Sequence, residues 1–324
     1  MTSPPSVGTT ASGESAERSG RKTRYGRPSR DAFSTVTLTF RSDGVKCVGR
    51  LYRPDRPADP ALVVLSGGPL GVGAATLEPY AERLAAAGYA VFLFDGRHLG
   101  ESEGEPRNLL SPTRGRADWE AALAGLRARR DVATDRVVLW GVGLAGGIAL
   151  DVAADDSRVR GVVAQTPIRS GRAFLRSRGL GTFTRGLLAG VRDVAQSPLF
   201  GTHTVPVVDE GEGGPALVSA PAAAHRYRDL AGGDWENRTP ARSFLALARH
   251  TGGDRDTRLT CPVLVVGGTR DDVVPVESVE TVADSIPNAT LVRLPVDHFD
   301  PYDGAGVART VGHGLAFLDS AVDK

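Results

Sequence analysis

Cysteine is nearly missing from these 324 residues: Cys47 and Cys261 are the only two. Two cysteines cannot build a disulfide framework, so a reducing compartment, the cytoplasm, is expected. Lysine is almost as scarce, with Lys22, Lys46 and Lys324 alone among 39 basic residues. Together with 40 glycines this fits the codon usage of a GC-rich bacterial genome. An excess of either charge is missing too, since 38 acidic residues leave a net charge of +1. That speaks against a nucleic-acid binder relying on bulk charge. No run of 18 apolar residues offers a membrane span, and residues 1–30 lack the apolar centre of a secretory signal. What the chain does have is 41% hydrophobic and 24% charged residues, enough for a sizeable core.

Residues 1–31 are rich in Ser, Gly, Thr, Pro and Arg and predict a disordered tail, because so few apolar side chains cannot offset ordering entropy. Alternating residues on either side of Ser42-Asp43-Gly44 then predict a β-hairpin. The apolar runs at 61–65, 90–94, 136–140, 159–164, 262–266 and 289–294 predict strands. Helical spacing occurs at 77–87, 118–130, 145–154, 276–285 and 305–321. Alternation of the two predicts an α/β fold: a mostly parallel central sheet with helices on both faces. Residues 169–258 break the rhythm and predict an inserted lid with a helix near 241–249. The core is thereby divided into 32–168 and 259–324.

The decisive segment is Val137 to Gly147, VVLWGVGLAGG, where a buried strand runs through a glycine-lined turn into a helix. This is the setting of a nucleophile elbow, whose apex normally carries serine. Asp271 and Asp272 follow a later strand, and His298 follows the last one. The order elbow, acid, histidine is that of α/β-hydrolases.

From about 35 to 321 the chain resembles an α/β-hydrolase. The likeness is to the branch of dienelactone hydrolases and Xaa-Pro dipeptidyl-peptidase-like esterases. Asp95-Gly96-Arg97-His98-Leu99-Gly100-Glu101-Ser102 is similar to the family's D-x-R-x-x-G-x-S loop, and His298-Phe299-Asp300-Pro301-Tyr302 to its histidine loop. The resemblance implies Asp271, four residues before Pro275, as the acid. Two departures stand at the chemical centre. Gly143 occupies the position of the nucleophile, and Ser66-Gly67-Gly68-Pro69 stands where the family commonly has His-Gly.

Ordinary serine hydrolysis is therefore not expected. A His298–Asp271 dyad remains, with an oxyanion hole from the backbone near Gly67 and at Leu144. Gly143 would leave room for substrate, and Ser66, Gly68 and His98 would contact it. General acid–base chemistry beside a carbonyl follows: elimination, isomerisation or cyclisation of a small specialised metabolite such as a polyketide. Two alternatives stay open. Ser66 is a relocated nucleophile, or the chain is an inert pseudo-hydrolase that binds a small molecule. No cofactor is expected, since Gly67 to Gly73 lacks dinucleotide-loop spacing and the histidines show no metal-ligand spacing. No nucleic-acid or membrane partner is expected, and a homodimer is left open. Arg169, Arg172, Arg176, Arg178 and Arg185 offer either a clamp for an anionic substrate or a solvated helix face.

Overall fold

The computed structural model describes residues 32–322, apart from 69, 71, 221, 222, 233 and 234. The expected tail at 1–31 thus lies outside the described residues, as do Pro69 and Gly71. The chain enters through a hairpin of β1 (Phe33–Ser42) and β2 (Val45–Pro54). Asp43 and Gly44, at φ +46° and +82°, form a two-residue turn of the kind that matches strand twist. The sheet continues with β3 (Ala61–Gly67), β4 (Ala90–Phe94), β5 (Ala133–Val142), β6 (Val159–Gln165), β9 (Val263–Gly268) and β10 (Ala289–Leu294). Its spatial order is β1-β2-β4-β3-β5-β6-β9-β10. β2 pairs antiparallel with β1 and β4, and the remaining neighbours are parallel. This is the mostly parallel α/β-hydrolase sheet that the sequence predicts.

Parallel strands need both faces covered, so their side chains divide between two cores. Leu62 and Val64 of β3 face one core, and Val63 and Leu65 face the other. The first core takes helices α2 (Pro112–Arg127), α3 (Leu144–Asp155) and α8 (Val276–Ser285). The second takes α1 (Glu78–Ala86) and α9 (Gly304–Val322). Helix α2 begins six residues before the predicted Asp118. Ser111 caps it by accepting from the Arg114 amide, and Pro112 fits the first turn, where its missing N–H is harmless. The apolar spacing starts only further along.

Between β6 and β9 the chain leaves the sheet. This insertion holds α4 (Gly171–Arg176), α5 (Leu180–Phe200), α6 (Ala223–Ala231) and α7 (Arg242–Arg249). A short ribbon of β7 (Thr204–Val205) and β8 (Thr239–Pro240) ties it together. Arg169 anchors it to the core, donating to Asp151 at 2.7 Å and Asp256 at 2.5 Å with all three residues buried. No described helix is long and apolar enough to cross a membrane.

Candidate active site

The carboxyl ends of the parallel strands place the site, as in other open α/β sheets. At the end of β5, Gly143 adopts φ +63° and ψ −125°, the sharp strand-to-helix turn of an elbow apex. An L side chain is strained there, and glycine is not. Gly141 and Gly147 allow the close crossing: a Cβ on either would fall 2.4 or 2.3 Å from a backbone oxygen of Ala145 or Ile168. The Gly143 amide donates to Gln165 O at 2.9 Å, and its carbonyl accepts from Ile168 at 3.0 Å. The two bonds lock the apex to β6 and to the segment that follows it. Leu144 is the first residue of α3, so its amide belongs to the helix's unpaired donors and to the positive end of its dipole.

The dyad forms. Asp271 Oδ2 accepts from His298 Nδ1 at 2.9 Å, with the two side chains 0% and 7% exposed. Asp271 Oδ1 accepts from the amides of Val273 (2.9 Å) and Val274 (2.7 Å), which fixes the carboxylate from behind. Asp272 is exposed, so of the two carboxylates it is Asp271 that meets the histidine. Asp297 is half-buried, and its Oδ1 accepts from the Phe299 and Asp300 amides and shapes the histidine loop.

On the other flank of the elbow in sheet order, β3 ends in Ser66 and Gly67, and Gly68 follows. A Cβ on Gly67 would strike Val142 O at 2.4 Å, so the loop crosses close over β5. The Gly68 carbonyl faces the apex, 3.5 Å from where a Gly143 Cβ would stand. Ser66 is buried, and its hydroxyl donates to Phe94 O at 3.0 Å. No hydrogen bond joins Ser66 to His298 among the described residues.

A cleft holding about 720 Å³ of empty space, its open mouth included, is lined by Ser66, Gly67, Gly68, His98 and Leu144. Its wall is otherwise largely apolar, with Phe94, Leu110, Trp119 and Ile148 among the lining residues. His298, Asp271 and Gly143 are not in that lining. His98 sits in the wall at φ +74° and is bonded through Nε2 to Arg114 at 2.8 Å. Burial, reinforced by the Arg114 charge, holds its pKa below the usual value of 6.5.

The D-x-R-x-x-G-x-S loop is a scaffold for this cleft. Asp95 accepts from the Ala74 amide at 2.6 Å, and burial raises its pKa. Arg97 pairs with buried Asp118 at 2.5 Å and with Asp43 at 2.6 Å. Ser102 bridges Val48 N and Asp95 O at 2.8 and 2.7 Å.

The full length of the fold finds matching proteins. The family model for X-Pro dipeptidyl-peptidases (S15 family) matches residues 43–300. The chain belongs to the S15 family. A relative in Acinetobacter baumannii (strain MDR-ZJ06), named quorum-quenching protein AidA, is 33% identical over 291 residues, 89% of this chain and 95% of that one. A polyketide transferase of Aspergillus fumigatus, af380, is 26% identical over 243 residues, 73% of this chain and 81% of that one. The crystal structure of the α/β-hydrolase GrgF from Penicillium sp. sh18 superposes with TM-score 0.78 at 21% identity, covering 90% of this chain and all of that one.

In this S15-family chain the insertion's arginines do not form an anion clamp. Arg169 is consumed by two buried carboxylates. Arg172 donates to Ala248 O, Arg185 to Gly213 O, and Arg176 lies over the Phe183 ring. Arg178 donates to Val273 O at 2.5 Å and lies over Phe174, beside the segment that holds Asp271. Sequence reasoning misses Tyr227, a fully buried residue of α6. Its ring stacks on Trp235 and meets Phe299, the neighbour of His298, edge-on at 5.6 Å. Nothing local in the sequence marks that contact, because 72 positions separate Tyr227 from Phe299.

Proposed function

We propose that the chain is an enzyme of specialised metabolism that works by acid–base catalysis beside a carbonyl, without a covalent intermediate. The observation that carries this reading is the buried His298–Asp271 hydrogen bond, together with an elbow apex, Gly143, that carries no side chain. Asp271 accepts a hydrogen bond from the Nδ1–H of His298, which leaves Nε2 as the ring atom that takes a proton from substrate. The Leu144 amide, at a helix N-terminus, suits a carbonyl oxygen that gains negative charge. The apolar cleft on the β3 side of the elbow suits a hydrocarbon-rich substrate. The insertion between β6 and β9 serves as the lid.

Removal of a proton next to the carbonyl gives an enolate held by that amide. Loss of a leaving group then gives elimination, reprotonation elsewhere gives isomerisation, and attack within the same molecule gives ring closure. General acid–base help contributes about 10²- to 10⁴-fold, and one oxyanion donor about 10²- to 10³-fold. Those factors suffice for an activated carbonyl. The relative named polyketide transferase supports a polyketide-like substrate.

The test is metabolite mass spectrometry of a host lacking the gene, complemented with wild type or His298→Ala. Accumulation of a compound heavier than the product by a small neutral molecule means elimination, and an isomeric pair means cyclisation or isomerisation. A product that has gained water, or fluorophosphonate labelling lost in Ser66→Ala, replaces this reading with hydrolysis. Full complementation by His298→Ala replaces it with binding alone.

The likeness to the relative named quorum-quenching favours a second reading, in which the compound consumed is a signalling molecule. That reading expects the deletion strain to show altered density-dependent behaviour.

A further inference from the structure

The cleft beside the elbow is apolar in most of its wall, and its ionisable and hydroxyl-bearing side chains are nearly all engaged within the protein. Ser66 donates to Phe94 O, and Asp95 accepts from the Ala74 amide. Arg97 and buried Asp118 neutralise each other, and Ser111 caps α2. Arg114 is the exception. It lines the same cleft, it is exposed, and it forms no ion pair among the described residues. Its guanidinium makes one bond there, from Nη1 to Nε2 of His98 at 2.8 Å. The remaining N–H groups of the fork are open to a ligand.

The partner matters as much as the missing carboxylate. Arg97, Arg169 and Arg242 are each oriented by a buried carboxylate, which cancels the charge that it holds. His98 is 2% exposed, and burial together with the Arg114 charge keeps its ring neutral at neutral pH. A neutral ring orients the guanidinium and leaves its charge uncancelled. The loop is built to put the ring there. His98 stands at φ +74°, which is strained for a residue with a Cβ. Its amide donates to Glu103 O at 2.9 Å and its carbonyl accepts from Asn108 at 2.8 Å, and these bonds hold the conformation.

Charge and shape together name the ligand. Arg114 falls in the first turn of α2, which contains no acidic residue, so the helix dipole opposes the cation and favours an anion beside it. One uncancelled positive charge on the wall of an apolar chamber matches a hydrocarbon body with a single negative end. The planar fork of a guanidinium matches a carboxylate. A phosphate monoester carries about two negative charges, and one of them would find no partner here.

We propose that Arg114, oriented by His98, binds the carboxylate of the substrate, a hydrocarbon-rich acid whose reacting carbonyl is a separate group. That the bound acid is the substrate rests on the acid–base reading above, so the test reads binding alone and stands whether or not His298 is catalytic. Octanoate and its uncharged isostere octanamide are titrated into the full chain by calorimetry at neutral pH and low ionic strength. Wild type should bind octanoate about 10-fold more tightly than octanamide, and high salt should shrink that preference. Arg114→Gln should weaken octanoate about 10-fold and leave octanamide unchanged, and the retained octanamide affinity shows that the cleft is still folded. Arg114→Lys, which keeps the charge and loses the fork, should keep part of the preference. Equal affinities in wild type, no binding of either probe, or a preference that survives Arg114→Gln overturns the proposal. Octyl phosphate binding more tightly than octanoate overturns the carboxylate as the bound group.

Discussion

The carboxylate of Asp271 holds the Nδ1 edge of His298 at 2.9 Å, while its other oxygen is pinned by the Val273 and Val274 amides. The pair is thus oriented by backbone that follows β9, not by side chains that can rotate away. Asp271→Asn keeps the shape and loses the charge. Turnover should fall by about 10²- to 10⁴-fold, since the imidazolium formed on proton uptake is no longer stabilised. Single-turnover assays on the substrate found by the metabolite comparison would measure it. An unchanged rate would remove the dyad from the mechanism.

Gly143 keeps elbow dihedrals without a side chain. A Cβ there meets Gly68 O at 3.5 Å, an ordinary contact, so Gly143→Ser fits sterically. The backbone strain costs about 1–3 kcal/mol, and Tm should drop accordingly. The variant should gain labelling by a fluorophosphonate, seen as added mass on the intact protein. No labelling would mean that His298 does not serve the apex.

Tyr80 is a positioning residue for the histidine loop. Its hydroxyl donates to Pro301 O at 2.9 Å and accepts from Gln165 Nε2 at 3.2 Å; Gln165 O in turn holds the Gly143 amide. Tyr80→Phe leaves a buried carbonyl unpaired, a loss of about 1–3 kcal/mol. Because the loop carries His298, kcat should fall while KM stays near wild type. A loss of stability with unaltered kcat would make Tyr80 merely structural.

Acid should weaken the fold through His98. Its folded pKa lies below the unfolded 6.5, so the unfolded chain binds the proton more readily. This contribution is complete above that value. It declines as pH falls through 6.5 toward the lower folded pKa. The Tm difference between wild type and His98→Gln should therefore shrink on going from neutral to mildly acidic buffer. A difference independent of pH would contradict the sign.

The strands and the order of elbow, acid and histidine were legible because each is local. Val137 to Val142 is a buried run, and Gly141 to Gly147 carry the turn that follows. The start of α2 was missed because Ser111 and Pro112 set it, ahead of any apolar period. The insertion's arginines misled for a different reason. A basic side chain looks the same in sequence whether it meets a ligand or, like Arg169, two buried carboxylates from α3 and the segment before β9.

By itself, then, the sequence determined the α/β fold and the missing side chain at Gly143, while the resemblance to the family implied Asp271 as the acid and His298 as the histidine. Periodicity and turn chemistry act between near neighbours, and the strands, the helices and the elbow turn need nothing more. Tertiary structure alone decided the bond between Asp271 and His298, the capture of the Ser66 hydroxyl by Phe94, and the approach of Tyr227 to Phe299. Each depends on how the ends of distant strands and helices come to lie side by side, and that is set by packing across the whole sheet.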